Sequence, residues 1–371
     1  MSNISSYLNN MKEIQNTFLD FIENDQEDNS TYKKLIDSIK KVQNNKNHFK
    51  SFLHLLVNVS NKHHRGPDFF TKIEKILTFL TDNIQKFFSN VEIFYIFGSN
   101  KRILLYFIEN KILIVDRAIA NLMQTEKCQK LNYPQYFYPE VNKFIQCEPI
   151  KEFDGNFEEN RKIGENHYYI SKLIRNDDVS EFIAFVNRSN LSLSETIISP
   201  SIFETNSFLL NRKPTLIEYS AFYGSIQIFN YLKYNKVDLN PSLWKYVIRS
   251  QNPVLFQILE AEKIEQEENR NFYIEAIKCH HNETAEYIYD NHKELITDDY
   301  EVIIQKALRY YNFKYIDESD FDKNLFFDFI KFDYYEIVDF LIKNQIAEIN
   351  PETKEEKQKR RIINFFFDLL S

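Results

Sequence analysis

An internal repeat in the carboxy-terminal half constrains this 371-residue chain more than any other feature. Residues 214–240 read PTLIEYSAFYGSIQIFNYLKYNKVDLN, which fits two helices joined by a tight turn. Thr215 can cap the first helix, and Glu218 three residues on can return the bond, a T-x-x-E capping box. Ser220 and Ala221 are small enough for close packing, and Gly224 can take the left-handed conformation that ends a helix. Ile226, Ile228, Phe229 and Leu232 give the second helix its apolar face. With Ser220 as marker, equivalents fall at Val247, Ala276, Ala307 and, less regularly, Phe329, at intervals of 27, 29, 31 and 22 residues. Five residues before the markers stand Thr215, Ser242, Asn271, Val302 and Asn324, and four of these five are preferred N-cap types. Second-helix faces recur at Leu255, Ile258 and Leu259, at Tyr287 and Ile288, and at Ile337, Val338, Phe340 and Leu341. An irregular earlier copy is expected at residues 171–186. Unrelated helices would not keep their caps in register, so this half reads as a stack of helix pairs.

The amino-terminal half is also helical by period. Ile73, Ile76, Leu77, Leu80, Ile84, Phe87 and Phe88 form one stripe, with Asp68 as its expected cap. Ile4, Leu8, Met11, Phe18, Phe21 and Ile22 form another near the start. No stretch alternates with period two, so no sheet is expected and the fold class is all-α. Residues 131–166 differ: YPQYFYP at 133–139 sets two prolines among four aromatics, with more Pro and Gly behind. Proline and glycine oppose a long helix there, and so many rings suit an arm packed on a neighbour. The expected organisation is a helical domain over 1–130, a connecting segment over 131–166, a repeat array over 167–350, and a capping helix over 351–371. The last carries Ile362, Ile363, Phe366, Phe367 and Leu370 on one face.

The segment TLIEYSAFYG at 215–224 resembles the ankyrin pattern TPLHxAAxxG, and YYEIVDFL at 334–341 is similar to its second-helix pattern HxEIVxxL. The chain looks in particular like the divergent, Asn- and Phe-rich ankyrin families expanded in trichomonad-type protists. Similar runs lie at 201–209 (SIFETNSFL), at 241–260 and in the amino half at 52–77 and 100–113. The resemblance implies an ankyrin-like α-solenoid. It departs from the pattern at Leu216 and Glu218, and Gln251, His280, Tyr311 and Asp333 occupy the terminal glycine position. The 22-residue interval is too short for two full helices and a β-turn.

Composition removes several functions. Only five glycines are present, too widely spaced for a phosphate-cradling loop, so no nucleotide cofactor is expected. A net charge of −8 argues against nucleic acid. Three scattered cysteines make no disulfide framework. No apolar run approaches the ~20 residues of a membrane span, and no secretory signal opens the chain, so an intracellular, cytoplasmic protein is expected. His63 and His64 with Asp68 form the one cluster inviting a metal-dependent hydrolase. Adjacent histidines point to different helix faces, however, and no HExxH spacing exists. His280 and His281 read as a helix-ending turn. The leading expectation is a non-enzymatic interaction scaffold without metal or cofactor, binding a protein partner through exposed inner-helix positions. The candidates are Tyr219, Phe222, Tyr223, Tyr246, Arg249, Lys278, Lys306, Arg309 and Tyr310, since Tyr and Arg dominate binding hot spots. A purely structural spacer is the remaining alternative.

Overall fold

The computed structural model describes residues 3–24, 29–66, 68–147, 156–210, 212–264, 272–293, 296, 299–321 and 324–346. In chain order the helices begin with α1 (Asn3–Glu23), α2 (Asn29–Lys40), α3 (Lys46–Lys62), α4 (Phe69–Phe87), α5 (Asn90–Phe97), α6 (Lys101–Glu109) and α7 (Arg117–Met123). Four short ones follow: α8 (Glu126–Gln129), α9 (Tyr133–Tyr136), α10 (Tyr138–Val141) and α11 (Phe157–Ile163). Then come α12 (Tyr169–Arg175), α13 (Val179–Arg188), α14 (Leu216–Tyr223), α15 (Ile226–Tyr234), α16 (Leu243–Ser250) and α17 (Pro253–Ala261). The last are α18 (Phe272–Cys279), α19 (Asn282–Asn291), α20 (Tyr300–Tyr310), α21 (Phe326–Lys331) and α22 (Tyr335–Lys343). Among the described residues there is no strand, and one isolated antiparallel bridge joins Ile197 to Thr215. The all-helical expectation is met.

Contacts divide the chain into two units, Met1–Leu55 with Asp298–Ser371, and Leu56–Thr297. The division therefore falls elsewhere than the boundaries expected at 130, 166 and 350. In the first unit α1 packs on α2, on α22 and on the 3-10 turn Phe313–Tyr315. Its whole apolar stripe, Ile4 to Ile22, is buried. Gln15 lies fully buried in the same helix, where its Nε2 donates to Asn312 Oδ1 at 2.7 Å. Its Oε1 accepts from the Phe313 amide at 2.6 Å. The short repeat interval has a visible consequence here. Between α20 and α21 the described residues hold 3-10 turns at Phe313–Tyr315 and Glu318–Asp320 instead of a second α-helix.

In the second unit the α4 stripe from Ile73 to Ile84 is buried. Asp68 occupies the N-cap of α4 but its side chain makes no capping bond. Ser89 instead forms a complete capping box with Glu92 at α5. Tyr133, Tyr136 and Phe137 are buried, with the Tyr133 hydroxyl on Gly98 O and that of Tyr136 on Arg161 O. The aromatic segment is thus packed onto its neighbours.

Downstream, α12 pairs with α13, α14 with α15, α16 with α17 and α18 with α19. The first members also pack in succession, α12 on α14, α14 on α16 and α16 on α18. The backbone keeps a common register. Asp177, Gly224, Gln251, His280, Tyr311 and Asp333 all have positive φ, between 50° and 69°. Asn190, Lys236, Lys263 and Gln345 repeat that conformation 12 or 13 residues later, at the ends of second helices. The amides of Ser225, His281, Asn312 and Tyr334 donate to Ser220, Ala276, Ala307 and Phe329, four of the five sequence markers. That six-to-one bond closes the Schellman motif. Thr215 and Glu218 form their capping box. Two expected caps do not form: Ser242 makes no capping bond, and the N-cap of α21 is Leu325 rather than Asn324. Val302, the one marker-frame position of a non-capping type, lies inside α20, whose N-cap is Asp299. Asn271 and the capping helix at 351–371 lie outside the described residues.

Candidate interaction face

The inner helices α14, α16 and α18 carry the expected contact positions, and the structure covers much of that face with the chain itself. Residues 199–210 run as an irregular strap in which Phe203, Glu204, Thr205, Asn206, Phe208 and Leu209 are buried. Local side-chain bonds shape it: Glu204 Oε1 accepts from the Asn206 amide, and Asn206 Oδ1 from the Phe208 amide. The Thr205 amide and hydroxyl both donate to Gly164 O, and the Ser207 amide donates to Asn61 O. These turns aim Phe208 at the inner helices. Its ring stacks on Phe222 with centroids 5.8 Å apart and meets Tyr246 edge-on at 5.1 Å. The guanidinium groups of Arg249 and Arg212 lie 4.0 and 4.2 Å from its centre, cation–π distances both.

Tyr219, Phe222, Tyr246 and Arg249 are therefore buried, against the expectation that they stand exposed on the inner helices. The cause is steric and electrostatic: the strap fills the space over Phe222 and Tyr246, Tyr219 lies against Tyr223 and the Arg175 guanidinium, and Arg249 is drawn to Glu275 as well as to Phe208. Burial alone would raise the Glu275 carboxyl, but Arg249 and Lys278 outweigh it and hold the group at about 2. Burial pushes the Tyr246 phenol up to about 12. Tyr223 is half-buried, its ring 4.9 Å from Tyr219 and under the Arg175 guanidinium. Lys278 is half-buried in its ion pair with Glu275. In the first unit Lys306 and Tyr310 are half-buried, while Arg309 is exposed and lies 5.6 Å from the Tyr310 ring centre.

The histidines are rearranged relative to the sequence reading. His63 and His64 do not join Asp68 in a donor set, and among the described residues no group of three or more His, Cys, Asp or Glu is placed to hold a metal. His63 meets His281 instead, with ring centroids 4.8 Å apart. His63 Nδ1 lies 2.9 Å from Cys279 O, and the His64 amide donates to His281 Nε2 at 3.3 Å. Lys62, beside them, reaches Ser207 Oγ at 3.1 Å, and burial lowers its ammonium to about 8. Two buried charged residues escaped the sequence reading altogether. Lys101 donates to Ile202 O at 2.8 Å and is lowered by burial to about 7, while burial raises the nearby Glu204. Their signal was faint: Lys101 stands between Asn100 and Arg102 and Glu204 between Phe203 and Thr205, with no motif around either.

Among the described residues no helix is long and apolar enough to cross a membrane. Comparison of the chain with protein-family models, with curated proteins and with solved structures finds no match.

Proposed function

We propose that this chain is a non-enzymatic protein–protein interaction scaffold whose second half is a divergent ankyrin-like array. One recurring contact supports the array reading most directly. The residue after the left-handed turn bonds back to the preceding helix pair at an equivalent carbonyl. Ser225 Oγ donates to Ile174 O, His281 Nδ1 lies 2.8 Å from Ile248 O, and Tyr334 Oη donates to Leu308 O at 2.9 Å. Three different side-chain types performing one positional task is what drift from a common unit leaves behind. Stacked helix pairs present long surfaces whose ordinary use is binding. With the strap over α14 and α16, the contact residues of this reading reduce to Lys306, Arg309 and Tyr310 on α20, with Tyr223 and Lys278 at the uncovered margins.

Replacing Lys306, Arg309 and Tyr310 together with alanine should remove partner capture from the native cell while far-ultraviolet circular dichroism stays unchanged. Capture that survives this triple change would overturn the assignment of the contact face. A spacer function would give no specific partner for either protein.

A further inference from the structure

We propose that His281 is an acid-sensitive latch, holding the end of α3 against the α18–α19 turn only while its imidazole is neutral. The inference rests on how both ring nitrogens are committed. A carbonyl can only accept, so Nδ1, 2.8 Å from Ile248 O, carries the proton. Nε2 accepts from the His64 amide at 3.3 Å and must be bare. A proton taken up at Nε2 turns that acceptor into a donor facing another donor, and the bond to α3 is lost. The bond to Ile248 survives, because Nδ1–H is a donor in both forms. The latch therefore loosens the segment after α3, leaving the contact of His63 Nδ1 with Cys279 O at 2.9 Å in place, without disturbing the register between helix pairs.

The surroundings penalise the charged ring. His281 is fully buried. From the segment directly after α3 it faces His63, its ring edge-on at 4.8 Å, and His64, while Lys62, the last residue of α3, lies just before them. From α16 it faces Arg249, which is paired with Glu275 of α18. Lys278 and Cys279 complete the α18 side. Burial is the main cause that holds His281 well below the ordinary histidine range, followed by the charges of His63, His64 and Arg249. The sign follows from linkage. An unfolded or released histidine takes up its proton near pH 6.5 while the latched one does not, so the latch is intact above that pH and weakens as pH falls. Ser225 and Tyr334 make the same backward bond with hydroxyls that take up no proton in this range, so at those positions the bond carries no acid switch.

Hydrogen exchange of the full-length chain at pH 7.5 and 5.0, corrected for intrinsic chemistry, reads the latch at residues 61–66. The wild type should exchange there ~10-fold faster or more at pH 5.0, as local opening becomes easier. In the His281→Asn variant the Asn amide takes the place of Nδ1 and keeps a donor for Ile248 O, as Asn252 Nδ2 serves Gly224 O at 3.3 Å. With no titrating acceptor left, the pH swing at 61–66 should vanish. A swing that persists in H281N, or a wild type with none, would overturn the proposal. If H281N does not fold, imidazole nitrogen-15 shifts of the wild type decide. His281 must begin as the Nδ1–H tautomer and protonate over the interval in which exchange accelerates. A ring that stays neutral while exchange rises sinks the idea.

Discussion

Left-handed backbone at a side-chain-bearing residue costs on the order of 1 kcal/mol, and this chain accepts that cost many times over. Gln251, His280, Tyr311 and Asp333 each sit where glycine would be free of it, yet three of them have a side chain that is buried or paired. Tyr311 stacks on Tyr334 at 4.9 Å, Asp333 pairs with Lys50 at 2.8 Å, and His280 is buried in the turn that positions His281. Lys236 differs. It has φ of 61° at the end of α15 and is exposed. Lys236→Gly should therefore stabilise the chain by ~0.5–1 kcal/mol, less what the freer unfolded backbone returns. The reverse change belongs at Gly224, with φ of 69° and a new Cβ 3.2 Å from Asn252 Nδ2. Gly224→Ala should cost ~1–2 kcal/mol. Urea midpoints of the two variants check the pair: they should shift in opposite directions, and a shift in the same direction would overturn that expectation.

At the scale of elements, the turns that end helices were readable because their chemistry is local. A cap, a small residue and a left-handed position lie within ten residues of one another, so drift in sequence leaves spacing intact. At Val302 the frame is off by three residues, because α20 starts at Tyr300 and its N-cap, Asp299, stands in an acidic pair. The strap was opaque for a different reason. SIFETNSFL carries no periodic apolar pattern, and its path is set by the local bonds of Glu204 and Asn206 together with the contacts of Phe208 with α14 and α16. Glu218 ties local and long-range order together. It accepts from the Thr215 amide at 2.9 Å and from Ser242 Oγ of the following pair at 2.7 Å. Thr215→Ala should cost ~1 kcal/mol as a lost cap. Glu218→Ala loses the return bond and the link to Ser242, so it should cost more, ~1–2 kcal/mol. Equal thermal denaturation shifts for the two would show that the Ser242 contact adds nothing.

At the scale of the whole molecule, the grouping of residues 1–55 with 298–371 had no signature in the sequence. The α1 stripe announces a face to be buried but not what covers it, since period fixes a direction and never a partner. Gln15 carries that missing information. A fully buried amide amid Met11, Ile14 and Phe18 is affordable only if both ends are bonded. The groups that bond it, Asn312 and the Phe313 amide, lie almost 300 residues away. Gln15→Leu keeps the volume of the side chain and removes both bonds. Its cost should fall near ~2–4 kcal/mol, because buried polar groups at the Phe313–Tyr315 turn lose their partners without gaining water. The location of the loss is the sharper test. If Met1–Leu55 with Asp298–Ser371 is an energetic unit as well as a contact unit, native-state hydrogen exchange of Q15L should lose protection in α1, α2 and α20–α22 first. Protection in α14, α16 and α18 should fall later or less. A uniform loss across both groups of helices would mean that the chain opens as one cooperative body, whatever the pattern of its contacts.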